Sequence, residues 1–144
     1  MALIEVPKRA FDAKVMLQSI RLARAVGRRV GRPRALLDFE VELTRLLGLF
    51  DRDHYLSQVD PGSLGGMTPL RHYVAQGDAA GLSPSPLLNV QHYDAHWPDR
   101  QGVNRLLHFG LHAHFTGFSP SPWFDAEYYL RSYPDVGHSA IDAL

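Results

Sequence analysis

Eight histidines in 144 residues, several of them at helical spacing, are the first groups in this chain that could do chemistry. His92 and His96 stand four apart, as do His108 and His112, with His114 close behind. On a helix that spacing puts two imidazoles on one face, an arrangement that zinc or nickel accepts. Neither pair encloses a glutamate, so the HExxH pattern of a metalloprotease is missing. The chain has no cysteine, and therefore no thiolate ligand or nucleophile. Asp51, Asn89 and Asp125 fall where helices should begin and read as caps, while Asp99 and Asp135 follow prolines in turns. "DRDHY" lacks the later ligands and the bidentate glutamate of a calcium loop. Gly65-Gly66 has no Lys-Ser/Thr behind it, and Ser83, Ser85, Ser119 and Ser121 sit among prolines without a positioned base. The residues therefore predict no catalytic site and no cofactor. No metal centre is expected either; His108, His112 and His114 are the residues that would form one.

The cationic residues are a second group. Residues 1–34 carry nine Lys/Arg against two acidic side chains, and the rest of the chain carries six against thirteen. At about 100° per residue, Phe11, Val15, Leu22, Val26 and Val30 share one side of a helix over 9–30, and Lys14, Arg21, Arg24 and Arg28 the other. Three partners suit that basic side. It can be solvated or paired with the acidic remainder of the chain. It can meet an anionic membrane surface, since Lys/Arg opposite an apolar stripe is the interfacial pattern. Nucleic acid is not expected, because no aromatic residues are interleaved with the arginines. Trp97 and Trp123 add a further option, stacking on a glycan.

These groups must be positioned by something, and the chain announces it by repetition. "LSPSPL" at 82–87 returns as "FSPSPW" at 118–123, 36 residues on. Tyr55, Tyr93 and Tyr129 lie 38 and 36 apart, and His72 and Tyr73 align with His108 and Phe109. His54 and His92 align too, with Tyr128 third, whereas His112 and His114 have Gln76 and Asp78 as counterparts. A histidine that returns with the unit is more simply structural than a metal ligand. Short helices are predicted at 52–59, 90–97 and 126–133, each halted near Pro61, Pro98 or Pro134. Second helices begin at Thr68, with Pro69 in the tolerated first position, and at Asn104. Gly77 and Gly81 suit a helix end and the tight turn after it. The Ser-Pro phrases read as stiff straps between one unit and the next.

The expected fold is all-α: tandem stacked two-helix repeats of about 36–38 residues joined by Ser-Pro straps and preceded by a basic amphipathic helix. The divisions are 1–34, the basic segment; 35–49, a connecting helix with Leu36, Phe39, Leu43, Leu46, Leu47 and Phe50 on one face; 50–87 and 88–123, two units; and 124–144, an incomplete third. With 45% hydrophobic and 21% charged residues the chain is of globular type, and no run approaches the ~18 apolar residues of a membrane span. "MALIEVPKRAFDAK" lacks the core of a secretory signal, so a cytoplasmic location is expected, peripheral attachment to the inner membrane included.

"FDRDHYL", "TPLRHYV", "LSPSPL" and "FDAEYYLRSYPDV" together resemble a helical repeat found beside bacterial glycosyltransferases of cell-surface polysaccharide synthesis. Its pattern runs FDxxYYLxxxPDV, then NPLxHY, a GxxEGR turn and PSP. The resemblance covers about residues 48–144 and departs from the pattern at the turn, which reads "GDAAGL" and "AHFTGF" here. It implies a non-catalytic interaction or positioning module, with any glycosyltransferase activity on a separate domain. The implied partners are that domain, another protein or a second copy. The alternative is a module that binds glycan or anionic lipid.

Overall fold

The computed structural model describes residues 10–30 and 33–123; the expectations for residues 1–9 and for the third unit, Asp125, Tyr128 and Tyr129 included, lie outside the described residues, as do the side chains of Phe11, Arg28 and Val30. The described chain is all helix and turn, with no strand. Helix α1 spans Ala10–Val30 and α2 Arg34–Leu46. Two helix pairs come next: α3 (Arg52–Leu56) with α4 (Pro69–His72, continued by a π-helical turn over Tyr73–Gly77), and α5 (Val90–His96) with α6 (Arg105–Leu111).

Local chemistry starts each of these helices. Asp51 and Asn89 are extended residues whose side chains accept the backbone N–H of His54 and His92, and Thr68 and Asn104 do the same for Arg71 and Leu107. Each such cap satisfies an otherwise orphaned donor and stabilises the helix by about 1 kcal/mol. The α3 helix ends at Leu56, short of the predicted 59, because five residues suffice to carry Tyr55 inward before the chain turns toward Pro61.

Matching hydrogen bonds occur in the two stretches 50–87 and 88–123. The Tyr55 hydroxyl meets His72 Nδ1 at 2.7 Å, and the Tyr93 hydroxyl meets His108 Nδ1 at 2.6 Å. Asp51 donates its backbone N–H to Pro84 O, and Asn89 to Pro120 O. His54 Nε2 reaches Ser83 Oγ and His92 Nε2 reaches Ser119 O, both at 3.0 Å. Each Ser-Pro segment is thus fastened back to the start of the stretch that it ends.

Two apolar clusters share α6. Tyr55, Tyr73, Val74, Tyr93, Leu106 and Phe109 form one; Ala13, Leu17, Ile20, Leu43, Val103, Leu107 and Leu111 form the other. Since Leu106 and Phe109 face one cluster and Leu107 and Leu111 the other, every residue of α6 is buried. Helix α6 is thus enclosed by its neighbours, with Arg105 and His108 buried among its apolar side chains.

Helix α1 does not bury the apolar stripe that stands out in its sequence. Its Val15, Leu22 and Val26 stripe is exposed, at 51%, 69% and 64%, while Ala13, Leu17 and Ile20 are buried beside α6. The reason is steric and electrostatic together. Ala13 and Gly27 keep the buried face narrow, and that face turns Arg24 onto Glu40 of α2, Nε to Oε1 at 2.5 Å, where the glutamate is fully buried. A buried carboxylate requires such a partner.

Gly81 occupies the left-handed region at φ 79° in the turn, and Gly77 ends the helical stretch Tyr73–Gly77 before it. Gly77 is required because a Cβ there would strike the Tyr55 hydroxyl and lie 2.9 Å from its Cζ. Gly77→Ala is expected to lower stability by about 1–3 kcal/mol, read from a urea melt followed by circular dichroism. Gly110→Ala should also destabilise, because its methyl would lie 2.5 and 2.6 Å from the two methyls of Leu47 and 3.1 Å from its Cγ.

Candidate functional site

The structure places several of the singled-out side chains at one corner, where α5 and α6 end and α1 packs on α6. Trp97 closes α5, and its ring lies 5.1 Å from that of His108 and 5.0 Å from that of His112. The two imidazoles are 5.3 Å apart. Arg21 and Lys14 come from α1, and their positive charge acts on His112, that of Arg21 on His108 as well. Trp97, Arg21 and His112 are half-buried and Lys14 is exposed, so the corner opens to solvent.

Its electrostatics are one-sided. Burial first, then the neighbouring His112 ring and the charges of Arg21 and Arg100, push the His108 imidazole down to about 3. Burial, followed by Arg21 and Lys14, lowers His112 as well. Both rings are therefore neutral at pH 7, and His108 can accept the phenolic proton of Tyr93, whose own ionisation burial pushes well above the ordinary range. Two donors at the corner have no hydrogen-bond partner within the protein, Arg21 Nε and Trp97 Nε1.

Not every predicted residue arrives there. Arg24 is removed from the basic face by its bond to Glu40. His114 points elsewhere, with Nδ1 on Phe109 O at 2.9 Å and its ring 3.8 Å from Phe115. The set His108, His112 and His114 is thus not assembled, and no group of three His/Cys/Asp/Glu that could hold a metal exists among the described residues. The indole of Trp97 is half-buried and flanked by His96, His108, His112 and Phe118, whereas Trp123 stands 77% exposed. A shallow depression lies between residues 48–53 and 85–87, but Asp51 at its edge is occupied as a helix cap.

One polar cluster was not foreseen. Arg105 donates to Asp78 Oδ1 and O and, in a two-pronged contact, to Asp94; Tyr73 donates to Asp78, and Arg100 to Asp94. Asp78 and Arg105 are 27 residues apart, and no local spacing connects them. Among the described residues no helix is long and apolar enough to cross a membrane. Comparison of the chain with protein-family models, with curated proteins and with solved structures finds no match.

Proposed function

We propose that the chain is a series of helical units, each closed by its Ser-Pro strap, serving as a non-catalytic interaction and positioning module for bacterial cell-surface polysaccharide synthesis. The observation that supports this reading is the double Tyr–His lock, Tyr55 on His72 and Tyr93 on His108. Residues that could carry acid–base chemistry are used instead to join the two helices of a unit. Units this small bury too little surface to stand alone and gain stability from neighbours, which suits an end-to-end partner. That partner is a glycosyltransferase domain or a second copy, on the cytoplasmic side. The full chain should therefore either self-associate in light scattering or retain a glycosyltransferase domain of a surface-polysaccharide pathway in a pull-down. A lone monomer that retains none refutes the proposal.

A second reading, contact with an anionic membrane surface, is favoured by a separate observation. The exposed Val15, Leu22 and Val26 stripe runs along α1 with exposed Lys14 at its flank. Vesicles containing phosphatidylglycerol should float the protein, and Leu22→Glu should abolish flotation; equal flotation of both forms excludes this surface.

A further inference from the structure

We infer that a second copy of the chain is the partner: the exposed Val15, Leu22 and Val26 face of α1 in one copy seats in the depression between residues 48–53 and 85–87 of the next. The inference rests on the self-association arm of the module reading and names the two surfaces that make it.

Exposure defines both surfaces. Among the described residues the large apolar side chains left exposed are Val15, Leu22 and Val26 on α1, and Leu46, Leu87 and Trp123 outside it. The first three recur at i, i+7 and i+11, along one side of the helix for about 16 Å. That is how a helix lays one face in a groove. The opposite face of α1 is already committed, through Ala13, Leu17 and Ile20 beside α6 and through Arg24 on Glu40. The helix therefore presents its stripe without leaving the body of the protein.

The receiving surface is the depression, with a volume of about 650 Å³. Two non-helical pieces of chain wall it, residues 48–50 on one side and the end of the first Ser-Pro strap on the other. The bond from the Asp51 N–H to Pro84 O, at 2.9 Å, holds the two together. Leu49, Phe50, Pro86 and Leu87 give it an apolar lining, and a narrow apolar seam continues from Leu49 and Leu87 to Leu106 and Phe109.

Charge chooses the occupant. Residues 1–34 carry nine Lys/Arg and two acidic side chains, and the rest of the chain six and thirteen. Exposed Lys14 flanks the stripe, and the depression carries Asp51 and Asp53 against Arg52. A basic front and an acidic remainder attract copies front to back and oppose a pairing of two fronts. A bilayer would cover the stripe and leave the depression open, whereas one head-to-tail contact covers both. Such a contact uses different surfaces on the two copies and does not close at two, so further copies can add.

Sedimentation velocity of the full chain tests this. Between about 10 µM and about 1 mM, the range of a weak helix-sized contact, the average mass should rise past that of a dimer, and about 0.5 M NaCl should lower it. Leu22→Glu and Leu87→Glu should each stay monomeric. Mixed in equal amounts they should form a one-to-one pair and nothing larger, since the first keeps an intact depression and the second an intact α1. Circular dichroism verifies the fold of Leu87→Glu. Asp53→Lys, at a side chain 91% exposed, probes the same depression without disturbing the fold and should weaken association about fivefold. A chain that stays monomeric to about 1 mM overturns the inference; if that monomer floats with phosphatidylglycerol vesicles, the stripe is a membrane surface instead. A mixture of the two variants that stays monomeric overturns it as well. Association that Leu22→Glu and Leu87→Glu both leave unchanged overturns these surfaces while the module reading stands.

Discussion

Arg105→Met is expected to destabilise the folded chain by about 3–5 kcal/mol, the cost of removing one partner from a buried charge network. Arg105 Nη1 sits 2.8 Å from Asp78 Oδ1, and its Nε and Nη2 lie 2.8 and 2.7 Å from the two oxygens of Asp94. Its side chain is 6% exposed and that of Asp78 10%, so the bonds are made largely out of water. Burial opposes the charge of Arg105, but the Asp94 and Asp78 carboxylates outweigh it and raise its ionisation above the ordinary value. Methionine keeps much of the bulk and deletes the charge. Asp78 would then retain the Tyr73 hydroxyl, the backbone N–H of residue 105 at 3.0 Å and Arg100 at 4.0 Å, but no closely bonded cation to balance a carboxylate in that setting. Adding Asp78→Asn to Arg105→Met should recover part of the loss, because the stranded charge goes with it. A urea melt measures both variants. A loss below about 1 kcal/mol for Arg105→Met would mean that the network is solvated, contrary to its geometry.

Acid should act through His108. Its folded-state value of about 3 lies below the ordinary 6.5, so the unfolded chain takes up a proton that the folded one refuses. Stability from this group is complete above pH 6.5 and is lost progressively as pH falls toward 3. Between pH 7 and pH 4 the loss from this ring is about 3 kcal/mol. His112, lowered mainly by burial, adds in the same direction. Asp94 is held low by its hydrogen bond to Arg105 and adds a further loss below the ordinary carboxylate range. His108→Gln keeps a group able to accept from Tyr93 and cannot titrate, so its stability should fall much less over that interval. An NMR titration in which the His108 ring protonates near 6.5 in the folded protein would contradict the account.

Both effects bear on how much of the molecule is legible in its sequence. Asp51, Asn89, Thr68 and Asn104 cap as their positions imply, because a cap is a contact across three residues and needs no tertiary partner. The common placing of His72 and His108 is visible as spacing; that each hydroxyl of Tyr55 and Tyr93 lands on an imidazole nitrogen is not, since spacing carries no direction. Of the candidate corner, Lys14, Arg21, Trp97, His108 and His112 all stand out in the sequence, but under three unrelated readings. Nothing in the order of residues says that they meet.

By itself, then, the sequence determined where helices begin, where prolines and glycines interrupt them, and which short phrases occur twice. Those are properties of a few neighbouring residues. Tertiary structure decided which face of α1 is buried, because that helix carries two apolar stripes, one with Val15, Leu22 and Val26 and one with Ala13, Leu17 and Ile20. The choice fell to the stripe with Ala13, which lies close to α6 and brings Arg24 to the buried carboxylate of Glu40. It also decided the pairing of Asp78 with Arg105 and the approach of Tyr55 to Gly77. Each of these depends on the shape and charge of a surface supplied by a distant part of the chain, and such a surface exists only once the helices have packed.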